Sequence, residues 1–220
     1  SVDASGMLRV GPQSAGAMPG LQRAYDFVKA YPGKRALLLT VEICSACYYL
    51  DETLETVVGN AICSDGAAAA VVGMSETRSF PRISRFASLL EPSFISSVGF
   101  EQRQGKLRII LSKDIRDVAG TLARKVIMEL LEGAGLRKDQ IRHWILHSGG
   151  RKVIDNLKAE LALSEDEVRH SEFVLRQFGN MSAPTVLFVL QETLRHSSPR
   201  EGDLGVMLAG LALEAALLRW

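Results

Sequence analysis

The sequence predicts an α/β protein of alternating helical and sheet layers, and three observations carry that prediction. The runs "RALLLTVEI" (35–43) and "GAAAAVVGM" (66–74) are continuous, apolar and short enough for strands. From Asp114 the period becomes helical, with Ile115, Val118, Ala119, Leu122, Val126 and Leu130 on one face and Arg116, Arg124, Lys125 and Glu129 elsewhere. At the end of the chain "LGVMLA" and "LALEAALLRW" follow one another with almost nothing between them, the pattern of adjacent strands.

The elements follow in order. "GLQRAYDFVKAYPGK" (20–34) places Leu21, Tyr25 and Val28 at helical spacing and stops at Pro32 and Gly33. "RALLLTVEI" reads as a strand buried on both faces, and "GAAAAVVGM" as a smaller-sided one beside it. "PRISRFASLL" and "GKLRIILS" are the next strands, with Gly105 turning the chain into the second. The long helix from Asp114 closes near Gly133 to Gly135. "RHWILHSGG" is a short strand with His147 at its carboxyl end, and a helix begins near Gly150 on Val153, Ile154 and Leu157. The following helix starts at Ser164, where Glu167 completes a capping box, and "RQFGN" ends it. "MSAPTVLFVLQETL" is apolar nearly all round, as a deeply buried helix would be. No repeat or Pro/Ser-rich linker divides the chain, so one compact unit is expected.

Composition bounds the function. At 220 residues, 47% hydrophobic, the chain can bury a substantial core. A net charge of +1 with scattered basic residues leaves no footprint for nucleic acid or an anionic membrane, which points to small-molecule partners. No apolar run is long enough to span a bilayer and no signal peptide opens the sequence, so a cytoplasmic location is expected. Cys44, Cys47 and Cys63 are an odd set for a disulfide framework, and reduced thiols are expected. The spacing of "CSAC" suits a metal or redox pair, but there is no second pair and the motif follows a strand. Cysteines packed as small apolar residues are the expectation, with no metal.

Three points can converge: the loop "GPQSAGAMPG" (11–20), the strand end at His147 and the helix entrance at Asn180. Ligands gather at the carboxyl ends of strands in open α/β sheets. Taken singly, each has a structural role open to it. His147 can satisfy a buried carbonyl, Asn180 can be a left-handed cap, and Ser14 can be a turn residue.

The ordered set resembles the type III polyketide synthases, the chalcone-synthase-like branch of the thiolase-fold condensing enzymes. "VGNAICSDGAAAAVVG" is similar to the family's "GDGAAA" segment, "WILHSGGRKVID" to its "HPGG" histidine loop, and "FGNMSAPTVLFVL" to its "YGNMSS" asparagine motif. Laying "LQRAYD" on the family's nucleophile helix puts the catalytic cysteine position at Ser14. A cysteine replaced to trap a ligand is the favoured account, since His147 and Asn180 are retained, with a natural serine of changed chemistry as the other.

The resemblance implies a thiolase-like fold, layered α/β/α/β/α, present here mainly as its C-terminal half plus the nucleophile helix. Residues 1–75 would belong to an incomplete first thiolase-like half and 76–220 to the second. It implies acyl-CoA and malonyl-CoA as substrates, no resident cofactor, and a homodimer, against which "GAMPGLQRAY" would be partly buried. Tyr48, Cys44 and Cys47 fall near substrate-cavity positions, with ordinary core packing as their alternative. "CSACYY" and "GFEQRQGKLRIILS" are similar to the bacterial branch, which includes dihydroxyphenylacetyl-CoA synthases. The family's longer glycine-proline connection implies a missing piece between Ala209 and Gly210, which would otherwise have to form a two-residue hairpin. Another missing piece is implied near Met7 and Leu8, together with an N-terminal region. A ketoacyl synthase or pyrone-forming enzyme acting on carrier-bound chains, or a non-catalytic partner subunit, would share the same frame.

Overall fold

The computed structural model describes residues 16–75, 80–94, 97–210 and 213–220. Helix α1 (Ala17–Ala30) leads into β1 (Arg35–Glu42), which pairs antiparallel with β2 (Gly66–Gly73). A 3-10 turn at Cys44–Cys47 and α2 (Leu54–Ile62) lie between these strands. A four-stranded sheet has the order β3 (Arg82–Leu89), β8 (Leu213–Arg219), β7 (Leu204–Ala209), β6 (His143–Leu146). Only the β6–β7 pair in it is parallel. The hairpin of β4 (Val98–Arg103) and β5 (Lys106–Leu111) forms a separate two-stranded sheet, and the remaining α-helices among the described residues are α3 (Lys113–Glu132), α4 (Arg151–Glu160), α5 (Glu165–Phe178) and α6 (Pro184–His196).

Side-chain alternation along the strands explains the layering. In the four-stranded sheet Leu146, Val206, Leu208, Ala215 and Leu217 pack with Val126, Ile127 and Leu130 of α3 and Ile154 and Leu157 of α4. The residues between them, Ile145, Met207, Ala216 and Leu218, pack instead with Met18 and Leu21 of α1 and Val186 and Val189 of α6. Each strand residue points opposite to its neighbour, so a run with no polar interruption feeds two cores. Helices α1 and α6 lie between this sheet and the β1–β2 ribbon, while α3 covers the far side. Helix α5 lies along β6 and α6, sending Val168 into one core and Val174 into the other.

Two elements escaped the sequence reading. Helix α2 carries valines and a glycine but starts at a readable cap: the Thr53 hydroxyl accepts from the Thr56 N–H. Strand β4, Val-Gly-Phe-Glu-Gln-Arg, is short and only half apolar, and it runs into the two-residue turn Gln104–Gly105, both at positive φ, between the paired Arg103 and Lys106. Arg108 of β5 joins these elements by donating to Thr56 Oγ1 at 2.9 Å and pairing with Glu101 at 3.0 Å.

Two expectations change. β1 is not buried on both faces: Leu37, Leu39 and Val41 are 60%, 61% and 65% exposed, because α1 and α6 cover only the opposite face and no described layer covers this one. The last hairpin does not turn through Ala209 and Gly210. Ala209 still pairs with Glu214, and the turn begins at Gly210, whose φ of 79° needs no side chain there. Within the segment "GAMPGLQRAY", Ala17, Met18 and Leu21 are buried in the chain's own core, while Pro19, Gln22 and Tyr25 are only partly covered.

Candidate functional site

The site forms where the four-stranded sheet and the ribbon come closest. His147 follows the last residue of β6, and its backbone N–H extends the parallel register by donating to the Leu208 carbonyl at 2.9 Å. Its ring is buried, and burial alone lowers its pKa to about 4, so the imidazole is neutral at physiological pH. Nδ1 finds no partner among the described residues, and neither does the fully buried Ser148 hydroxyl beside it. The preceding Leu146 carbonyl accepts from the Ser171 hydroxyl of α5 at 2.8 Å, which anchors the strand end. A Cβ at Gly149 would sit 3.5 Å from His147 Nε2, so the glycine keeps that side of the ring open.

Asn180 arrives from the other direction. Gly179 closes α5 at φ 74°, and a Cβ there would lie 2.9 Å from Ser64 Oγ and 3.0 Å from the Ile62 carbonyl. Only glycine allows this approach. Asn180 then donates its N–H to Ile62 and accepts from the Ser64 N–H, both at 2.9 Å, forming a one-residue parallel bridge with Cys63. Its side-chain oxygen accepts from the Ser182 N–H at 2.9 Å, which fixes the amide's orientation. Nδ2 donates to the Gly149 carbonyl at 3.2 Å. The histidine loop and the asparagine loop are thereby tied together, and an amide nitrogen carries a second hydrogen.

The ribbon supports this junction from below. A Cβ at Gly66 would lie within 2.7–2.8 Å of Met181 side-chain atoms, so the glycine of "CSDG" lets the asparagine loop pack on the start of β2. Glu42, at the end of β1, accepts from the Ala183 N–H at the entrance of α6, while burial raises its pKa.

Of the residues selected from the sequence, the structure brings His147 and Asn180 together through Gly149. Ser14 lies outside the described residues. Cys44 is buried, with its thiol against that of Cys63; their shared hydrogen bond raises the pKa of Cys44 and lowers that of Cys63. Cys47 is partly buried in the 3-10 turn, and Tyr48, at 49% exposed, stands at the edge of the ribbon. Cys63 and Glu42 were overlooked. Cys63 lies three residues before Gly66, inside a segment already singled out, whereas nothing local marked Glu42. Among the described residues no group of three or more His, Cys, Asp or Glu side chains is placed to hold a metal ion.

Comparison with known proteins gives a consistent picture. Residues 96–219 match the family model described as chalcone and stilbene synthases, C-terminal domain. The chain is 37% identical over 202 residues to a 3,5-dihydroxyphenylacetyl-CoA synthase of Streptomyces toyocaensis, a match covering 87% of this chain and 52% of that protein. It is 32% identical over 212 residues to a 1,3,6,8-tetrahydroxynaphthalene synthase of Streptomyces peucetius subsp. caesius, covering 93% of this chain and 56% of that one. The crystal structure of 1,3,6,8-tetrahydroxynaphthalene synthase from Streptomyces coelicolor A3(2), a bacterial type III polyketide synthase, superposes with a TM-score of 0.90 at 28% identity. That superposition covers 99% of this chain and 64% of that one. The chain spans about half the length of the curated relatives it matches.

Proposed function

The chain belongs to the chalcone and stilbene synthase family and has its thiolase-like α/β fold, and from that premise we propose that it serves a type III polyketide synthase. The reaction is decarboxylative Claisen condensation of malonyl-CoA onto an acyl group taken from an acyl-CoA. Position 14 carries the acyl group; a cysteine there would hold it as a thioester, with His147 assisting ionisation of the thiol. Malonyl-CoA loses carbon dioxide to leave an enolate, whose oxygen is stabilised by His147 Nε2–H and the free hydrogen of Asn180 Nδ2. The enolate carbon attacks the acyl carbonyl, the nucleophile leaves, and the chain is two carbons longer.

The observation that carries this reading is the Asn180 amide hydrogen-bonded to Gly149 beside a buried, neutral His147. Two uncharged donors on rigid supports suit a charge that exists only after decarboxylation. Relatives named for 3,5-dihydroxyphenylacetyl-CoA favour an aromatic product kept as a coenzyme A thioester. Tyr48, Cys44 and Cys47 are assigned to the substrate cavity, residues 1–75 and 76–220 to the two thiolase-like halves, and the working protein to a cytoplasmic homodimer without a resident cofactor. No helix among the described residues is long and apolar enough to cross a membrane.

The test is product analysis by mass spectrometry with malonyl-CoA and a panel of acyl-CoA starters. Ser14→Cys should load acyl groups and condense them, while the serine form accumulates little acyl-enzyme. Adding Asn180→Ala or His147→Ala to Ser14→Cys should lower turnover by roughly 10²–10³-fold, the usual loss for one oxyanion donor. Equal turnover by the serine and cysteine forms would remove position 14 as the nucleophile.

A further inference from the structure

The hydrogen bonds of Arg108 reach further than the hairpin that carries it. We propose that Arg108 is a positioning residue for Asn180, acting through α2: it pins the capped start of that helix, and the last residue of the helix holds the asparagine's backbone. The inference rests on the reading of Asn180 as a donor to the enolate oxygen.

The joint is built from short, directional contacts. The Arg108 side chain is only 11% exposed. Its Nε donates to Thr56 Oγ1 at 2.9 Å and its Nη2 to Thr53 Oγ1 at 3.1 Å, within α2 and at its N-cap, while Nη1 donates to Glu101 of β4 at 3.0 Å. Asp51 completes the set. Its Oδ2 lies 3.4 Å from Arg108 Nε, and its Oδ1 accepts from the Thr53 N–H at 2.9 Å and the Thr53 hydroxyl at 2.6 Å. Charge-assisted bonds from a planar fork hold a geometry that the point charge of a lysine cannot.

Helix α2 depends on this joint because little else anchors it. Thr56 and Gly59 are its buried residues, whereas Leu54 and Val57 are exposed. With so little apolar side chain packed, hydrophobic burial holds the helix weakly and the polar contacts carry more of the load. A second tie runs to the same hairpin. Asn60 Nδ2 donates to the Tyr49 carbonyl at 2.7 Å, and the Tyr49 hydroxyl donates to Gln104 Oε1 in the β4–β5 turn at 3.3 Å.

The far end of α2 meets the site. Ile62, its last residue, accepts the Asn180 N–H at 2.9 Å, and the Ser64 N–H donates to the Asn180 carbonyl at 2.9 Å. Nine helical residues form a rod about 13 Å long, so a start free to tilt carries the end with it. The Asn180 amide moves with its backbone, and a misplacement of about 1 Å at a catalytic donor can cost about 10²-fold in rate.

The bridge supplies its own reporters. Hydrogen exchange resolved at single amides follows Asn180 and Ser64 in the full chain, with Val206 and Met207 of the buried strand β7 as references. Arg108→Met is expected to speed exchange at Asn180 and Ser64 by about tenfold or more while the β7 amides exchange as in wild type, and Arg108→Lys should fall between the two. Arg137→Met, which removes an exposed arginine paired with Asp139, should change neither set. With Ser14→Cys in place, Arg108→Met should lower kcat more than it raises KM. Where Arg108→Met does not fold, Arg108→Lys and Thr56→Val are read in the same way. Unchanged exchange at Asn180 and Ser64 in a folded variant overturns the proposal, as does equal acceleration in β7, which marks a general loss of stability, or an undiminished kcat. Faster exchange at the bridge without any turnover by Ser14→Cys overturns the polyketide reading instead and leaves the hold of Arg108 on Asn180 standing.

Discussion

β7 reads Leu-Gly-Val-Met-Leu-Ala and the middle of β1 reads Leu-Leu-Leu-Thr-Val, two apolar runs of similar length. In β7 every residue after the first is buried. In β1 alternate residues are open to solvent, and β2 beside it alternates half-buried alanines and glycine with exposed positions. The difference lies in what flanks the sheets. The four-stranded sheet is held between α1 and α6 on one face and α3 on the other, whereas among the described residues the ribbon packs mainly on α1 and α6. An apolar run thus reports that both faces of a strand call for cover, and a neighbouring layer decides whether both receive it.

The largest expected effect tests the covered sheet. Leu217 is fully buried in β8 against α3, and Leu217→Ala should cost about 2–5 kcal/mol in urea unfolding, the usual range for a leucine removed from a packed core. A loss under about 1 kcal/mol would mean that this face is not packed as described.

The second sits at the junction of the two regions. Buried His147 has its pKa lowered from 6.5 to about 4, so between those values the unfolded chain binds a proton that the folded one does not. Stability should therefore fall as pH drops from about 7 toward 4, by on the order of 3 kcal/mol from this group. Urea unfolding of wild type and His147→Gln across that range checks it: the variant should have the shallower dependence. Partly buried His170 shifts in the same direction in both proteins, so the comparison isolates His147. Identical pH dependence would place the His147 ring in contact with solvent.

The smallest effect tests the open ribbon. Leu39→Ser should change stability by no more than about 0.5 kcal/mol and should reduce binding of a hydrophobic dye, since Leu39 is 61% exposed. A loss as large as that of Leu217→Ala would show that the face is covered in solution.

Some features were readable because their causes are local. The Ser164–Glu167 capping box forms as its spacing requires, with the Ser164 hydroxyl taking the Glu167 N–H and the Glu167 carboxylate taking the Ser164 N–H. α6 is buried nearly all round, β7 and β8 are neighbours, and His147 stands at a strand end, each following from side-chain periodicity over a few residues. α2 was missed because weak apolar patterning hid its Thr53 cap, and β4 because the turn at Gly105 was read but the short strand leading into it was not.

By itself, then, the sequence determined the type of most elements, their capping, and the resemblance that singled out His147 and Asn180. Only the tertiary structure decided that the Asn180 amide meets the Gly149 carbonyl across 31 residues and that one side of β1 stays open. Hydrogen bonds and packing contacts act over a few ångströms, and residues far apart in the chain come within that range only after the layers have packed, which no local periodicity encodes.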